Sequence, residues 1–469
     1  MIFNSLSFIL ICLLPCILIV LVMERFGGAM RIKAENAVIL LFSVLFYAWS
    51  GLRFLALLLC LIAVDYVIGL LSLRNRYFAL AGTAVNVAIL CFFKYFNALL
   101  GIMQSRFETA GGIAEVMAPI GISFIVFSCI SYMMDIYSGK AEICRNVLKF
   151  ALYILLFPKL LQGPIAKYQD MKGQIDNRSI SFDGFMSGLE RFLIGMSKKV
   201  LIADILAQTS TDIFSNMYSG IDAGTAWIGI FSYTLCLYMD FSGYSDMAIG
   251  VSRMLGFELK ENFNFPYLSA SPGEFWRRWH ISLGSFFKEY LYFPLGGSRK
   301  GNVYVNLMIV FIVTGMWHGS TMIYLFWGAY HGFFVLLDRW LSEKGVTDKI
   351  PNVIRTLITF MIVMVGWIAF NVGTVRDFVN YILLMLGRGA ASNFTYVYYL
   401  NPRLIVICAA VVLGGIIAGN EKVRTRFKKL NEGSIVFNII KYILMIVCVY
   451  LCFITGLSEG YSPFLYFQF

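Results

Sequence analysis

Gly301–Leu337 reads GNVYVNLMIVFIVTGMWHGSTMIYLFWGAYHGFFVLL, 37 residues without one Asp, Glu, Lys or Arg. As one straight α-helix it would be about 55 Å long at 1.5 Å per residue. The hydrocarbon core of a bilayer is roughly 30 Å thick. The stretch must therefore turn back, break, or run far out of the membrane.

The rest of the chain follows the same pattern. Met1–Met23, Asn36–Leu52, Tyr77–Phe93, Val116–Met134, Ala223–Met239, Thr356–Val375, Leu404–Asn420 and Tyr442–Ser458 are also charge-free, and Phe54–Leu73 carries only Asp65. Of 469 residues, 59% are hydrophobic and 14% charged, with a mean hydropathy of +0.75. A soluble domain carries roughly 25% charge. An ordinary cytosolic enzyme, a disordered chain and a nucleic-acid-binding domain are excluded, despite the net charge of +11. The pattern predicts an all-α polytopic membrane protein, a bundle of ten or more helices at roughly 20 apolar residues per span. It predicts one membrane domain over residues 1–469, in which residues 341–469 add further apolar spans at the C-terminal side. The first segment has no basic leader and no small-residue cleavage site, so it is expected as a retained helix. The ten cysteines lie mostly in apolar runs and have no zinc-site spacing, and they are expected as small buried hydrophobes.

Basic residues give the expected orientation through the positive-inside rule. Glu421–Lys429 is the densest basic loop and is placed in the cytosol. Arg25, Arg31 and Lys33 put the first loop there too, so both termini are expected outside. Arg145, Lys149, Lys167, Lys172, Arg178, Lys198 and Lys199 mark a central region as cytosolic or interfacial.

That central region mixes Pro, Gly, charge and aromatics. Irregular backbone at membrane depth is tolerated only where protein or a water-filled cavity satisfies it. Leu156–Pro164 (LFPKLLQGP) predicts a re-entrant or broken helix, with a kinked ordinary span as the alternative. Ser271–Tyr290 (SPGEFWRRWHISLGSFFKEY) predicts one interfacial amphipathic helix, with Trp276 and Trp279 on the apolar arc and Arg277 and Arg278 opposite. His280 falls at the edge of the apolar arc and is expected to point inward.

The three histidines are His280, His318 and His331. Two lie in the 37-residue run quoted above and the third lies just upstream. An ionisable group in a membrane segment is a candidate functional site. His318, between Trp317 and Gly319, is a candidate catalytic residue. His331 is a tunnel candidate or a structural hydrogen-bonder. Asp240, Ser242, Tyr244 and Asp246 could orient a histidine or line a polar tunnel, or they could cap a helix break near Gly243. There is no phosphate-binding loop, HExxH, CxxC or GxSxG, and no acidic metal cluster, so no metal or cofactor is expected.

The motifs in order are Phe3–Phe8, Tyr47–Ser50, Asp65–Gly69, Lys94–Asn97, Pro119–Phe124, Ile130–Tyr137, Gln162–Ile165, Met239–Gly250, Phe275–Leu283, Tyr292–Gly297 and Gly315–Gly319. Together they resemble the membrane-bound O-acyltransferase superfamily, in its alginate O-acetylation branch. The pair WRRWH and GMWHG is the specific signal, and the likeness is strongest over residues 1–340.

The resemblance implies a helical bundle of about 11 transmembrane helices, with re-entrant and interfacial helices around a central tunnel, in a bacterial plasma membrane. It implies acetyl transfer from cytosolic acetyl-CoA, as donor substrate rather than cofactor, toward an extracellular polysaccharide. A separate extracytoplasmic SGNH-type acetyltransferase is the implied partner. His318 matches the family's essential histidine and His280 its second one. On this reading His318 is the general base, and His280 orients the substrate or polarises the thioester carbonyl. Trp276, Trp279 and Trp317 are tunnel candidates. Arg277, Arg278, Arg299 and Lys300 would attract the CoA phosphates, or would simply form a positive-inside loop. Two alternatives stand beside this: D-alanyl transfer to teichoic acid, and a secondary transporter built from broken helices.

Overall fold

The computed structural model describes residues 3–26, 28–106, 114–388, 395–459 and 462–465. Among the described residues every regular element is a helix. Six helices are long and apolar enough to cross a membrane: Phe8–Phe26, Leu52–Leu71, Tyr77–Ser105, Asn352–Asn371, Pro402–Gly419 and Ile435–Ser458. Their outer faces carry many exposed Leu, Ile and Val side chains, as lipid-facing helices do. Ile122–Tyr137 and Val303–His318 are apolar but shorter, about 24 Å each. The 32-residue helix Ala223–Met254 has the length to span. Its Ser, Thr, Gly and Asp lower its hydropathy, and most of its side chains face protein rather than lipid.

The chain packs as two units, Met1–Phe192 with Tyr244–Glu261, and Leu193–Gly243 with Asn262–Phe469. In the first, Phe3, Phe8, Phe46, Phe157 and Tyr244 form one aromatic cluster with ring centroids 4.3–6.5 Å apart. The Leu156–Pro164 stretch is broken. Helix Val147–Leu155 stops at Leu156, a four-residue helix Phe157–Leu160 follows, and irregular backbone runs on from there. Nine residues cover only about 14 Å, less than half the hydrocarbon core. Buried Lys159 within this break reaches Ser128 Oγ at 3.4 Å and lies 4.8 Å from the centre of the Tyr153 ring.

The second unit contains all three histidines. Its charge-free run turns back, one of the outcomes its length allows. Helix Val303–His318 ends at Gly319, and helix Met322–Glu343 returns beside it. The two backbones meet at Gly315 and Gly328. A Cβ on Gly315 would fall on the Tyr324 carbonyl oxygen, and one on Gly328 would fall on that of Phe311. Small residues at such a crossing let membrane helices pack backbone to backbone.

The predicted single amphipathic helix over Ser271–Tyr290 is corrected. Helix Pro272–Arg278 ends, Trp279 is extended, His280 adopts a left-handed conformation (φ 45°, ψ 54°), and helix Ile281–Phe287 begins again. The start is well specified. Pro272 opens the helix, Ser271 Oγ accepts from Glu274 N (3.2 Å), and Glu274 Oε2 accepts from Ala270 N (2.8 Å). The break comes from outside the helix. The Arg278 carbonyl accepts from Asn264 N (3.0 Å), and Ile281 N donates to the Asn262 carbonyl (2.9 Å). The neighbouring segment thus takes hydrogen bonds that a continuous helix would make within itself. Helical periodicity in the sequence cannot register this competitor.

Candidate active site

His280 and His318 both line a cavity of about 20 Å³ in the second unit, with Leu237, Trp276, Trp279, Leu283, Thr314, Trp327, Trp367 and Phe370. That volume is close to the room of one water molecule. His318 is the last residue of its helix, and the next residue must be small. The Tyr324 ring lies where a side chain on residue 319 would go. The His318 ring is 4.5 Å from Trp317 and 4.9 Å from both Trp327 and Phe370, centre to centre. His280 meets the edge of Phe241 at 4.7 Å. Both imidazoles are buried. Aromatic walls keep the pocket apolar, and a proton held there is poorly screened by water.

Asn262 gives His280 polar support. Its Oδ1 lies 3.1 Å from His280 Nδ1, and it accepts from Ser282 N (3.2 Å) and Ser282 Oγ (2.9 Å). Among the described residues, Trp276 Nε1, Trp327 Nε1 and His331 Nε2 are buried and have no hydrogen-bond partner. A buried indole N–H normally finds an acceptor. His331 itself is not in the lining. It packs against Trp276 (5.0 Å) and Trp327 (4.9 Å), and directly against the backbone of Gly366. Trp317 likewise supports His318 from outside the lining.

A second cavity of about 720 Å³ shares Trp276, Trp279, His280, Leu283 and Thr314 with the first. Its wall carries Arg277, Lys288, Arg339 and Arg355 against Asp338 and Glu343. Of the four cations expected for phosphate, only Arg277 lies here. Arg278 pairs with Glu274 one turn back on its own helix (2.6 Å). Arg299 and Lys300 are exposed on the Gly296–Gly301 turn and do not line the cavity. Lys288, Arg339 and Arg355 went unsingled by sequence reading because they are scattered over three elements. Their shared feature is a place in space.

Asp240, Ser242, Tyr244 and Asp246 do not reach either cavity wall. No helix break exists at Gly243 for them to cap, since Ala223–Met254 is continuous. Asp240 Oδ1 pairs with buried Lys199 (2.7 Å), which also meets Asp204 (2.8 Å) and the Pro463 carbonyl (3.0 Å). Asp240 Oδ2 accepts from Leu465 N (3.0 Å). Ser242 Oγ is 3.5 Å from Lys198 Nζ. In the first unit, Tyr244 donates to the Pro158 carbonyl (3.4 Å), and Asp246 pairs with Arg191 (2.8 Å). These are structural ties. The side chain that meets His280 Nδ1 is that of Asn262. Among the described residues no three His, Cys, Asp or Glu side chains come together as a metal site.

Among the described residues the chain is helical, with several helices able to cross a membrane and two of its histidines at one tryptophan-walled cavity. Residues 119–372 match the model of the membrane-bound O-acyltransferase family, and the chain belongs to that family. A Pseudomonas putida protein named "Probable alginate O-acetylase AlgI" is 36% identical over 93% of this chain and 95% of its own length. A Helicobacter pylori "Peptidoglycan O-acetyltransferase" is 33% identical over 76% of this chain and 74% of its own. A Bacillus subtilis "Teichoic acid D-alanyltransferase" is 25% identical over 55% of this chain and 69% of its own. Family membership makes the chain an enzyme, and the transporter alternative falls away.

Proposed function

We propose that this enzyme takes an acetyl group from cytosolic acetyl-CoA and passes it through the membrane for O-acetylation of an extracellular polysaccharide. A separate extracytoplasmic SGNH-type acetyltransferase completes the transfer. One observation carries the reading: His280 and His318 share a narrow aromatic cavity whose walls also bound a wide, net-basic one. The relatives named for alginate and peptidoglycan O-acetylation favour acetyl over D-alanyl as the acyl group.

The chemistry follows from the thioester. The acceptor hydroxyl oxygen attacks the carbonyl carbon while its proton passes to His318. The C–S bond then breaks, and the proton returns from the imidazolium to the leaving CoA thiolate. Histidine suits both halves because its ordinary pKa lies near operating pH. The Trp276 and Trp327 indole N–H groups are donors for the carbonyl oxygen as negative charge gathers on it. Arg277, Lys288, Arg339 and Arg355 attract the donor's phosphates.

The test is release of free CoA from acetyl-CoA by the purified protein in detergent, beside a D-alanyl-loaded carrier protein as competing donor. Cleavage of acetyl-CoA is expected. Turnover of the loaded carrier alone would move the assignment to teichoic acid. Mass spectrometry of the host's surface polysaccharides, with and without this protein, then identifies the polymer. An unchanged acetyl content in every polymer would overturn the proposal.

A further inference from the structure

We infer that Asn262 is a positioning residue that holds His280 in its Nδ1–H tautomer, so that His280 meets substrate as a proton acceptor at Nε2. The role of His280 in turnover rests on the acyl-transfer reading, whereas its tautomer does not.

An amide oxygen and nitrogen look alike, and their assignment depends on what surrounds them. Here a backbone group decides. Ser282 N can only donate, and it lies 3.2 Å from the Asn262 atom that also faces His280 Nδ1 at 3.1 Å. That atom must be the oxygen. An amide oxygen only accepts, so His280 Nδ1 must carry a hydrogen. A neutral imidazole has one ring proton, which leaves the lone pair on Nε2. The arrangement is held from several directions at once. Ser282 Oγ donates to the same oxygen at 2.9 Å, and the Asn262 carbonyl accepts from Ile281 N at 2.9 Å. These bonds flank His280 on the chain and keep it in the left-handed conformation that a non-glycine residue rarely adopts. Strained backbone over-determined by its surroundings is a mark of functional sites.

This separates the two roles open to His280. A neutral ring with its lone pair at Nε2 cannot donate to a thioester carbonyl. It can accept from a hydroxyl or a thiol. His280 therefore accepts from a substrate group other than the hydroxyl whose proton passes to His318, and carbonyl polarisation falls to the indole N–H donors.

The direct test is ¹⁵N NMR of the full chain with labelled histidine. Three histidines give a simple spectrum, and His280→Gln assigns one of them. The expected His280 signal has a protonated Nδ1 and an unprotonated Nε2 near neutral pH. Asn262→Leu removes the acceptor. Its signal should move toward the Nε2–H form, and acetyl-CoA turnover should fall about tenfold or more with an unchanged KM. Asn262→Asp restores the acceptor and should recover most of that turnover. The acidic limb of its pH–rate profile should move to higher pH, because a carboxylate beside Nδ1 favours the imidazolium. A purely structural Asn262 would not move that limb. An Nε2–H signal in the unmodified chain, or an Nδ1–H signal that survives Asn262→Leu, overturns the inference. An Nδ1–H signal in a protein that does not cleave acetyl-CoA upholds the tautomer and rejects the donor reading instead.

Discussion

His318 and Lys199 are both buried ionisable residues, and the structure gives them opposite kinds of surroundings. His318 stands among aromatic rings at a cavity wall. His318→Ala should lower acetyl transfer by about 10²–10⁴-fold, the usual range for losing an acid–base group, with a correctly inserted and folded protein. Activity near the unmodified level, measured by CoA release, would remove His318 from the base role. Lys199 is locked between Asp240 and Asp204 at 2.7 and 2.8 Å, within a wider helical turn at Lys198–Ala203. Lys199→Met leaves the buried Asp240 carboxylate without its cation, at a cost of about 3–5 kcal/mol. Thermal unfolding should show a clear fall in Tm. The double variant Lys199→Met with Asp240→Asn should recover part of it, because the buried Asp240 charge is then removed together with its cation, while Asp204 keeps its own charge.

The helical hairpin Val303–His318 and Met322–Glu343 is the element that presents His318. Its two glycines at the crossing leave no room for a side chain. Gly328→Leu should force the helices apart, lowering Tm and shifting Trp327 and His318 from the cavity. Intrinsic fluorescence and CoA release should change together. If activity and Tm both held, the close crossing would not be needed. A hairpin was one of the outcomes legible in the sequence, because 37 charge-free residues are too long for one straight span within the hydrocarbon core. The break at His280 was not. Its stretch has sound helical periodicity, and the hydrogen bonds that end the helix come from Asn262 and Asn264, which lie in a separate segment.

Across the whole molecule, charge is scarce and its position matters. The wide cavity's four cations outnumber its two carboxylates, which suits an anionic donor. Arg277→Ala and Arg355→Ala should each raise KM for acetyl-CoA, with kcat little changed and a weaker dependence on salt. A KM insensitive to both changes would place the donor elsewhere. Topology is testable at the same scale. In a cysteine-free background, Lys428→Cys on helix Glu421–Gly433 should react with a membrane-impermeant thiol reagent only from the cytosolic side. Labelling from outside would reverse the expected orientation.

Hydropathy and charge by themselves determined that the chain is a helical membrane protein, that its longest charge-free run is too long for one straight span within the bilayer, and which histidines merit attention. Those conclusions depend on properties carried along the chain: apolar length, the bilayer's thickness, and the cost of burying charge. Tertiary structure alone decided which cations line the wide cavity, that Asp240 holds Lys199, and that Asn262 rather than an aspartate supports His280. Each of those is a meeting of residues far apart in sequence. A hydrogen bond or an ion pair is fixed by distance in space, and linear spacing does not encode it.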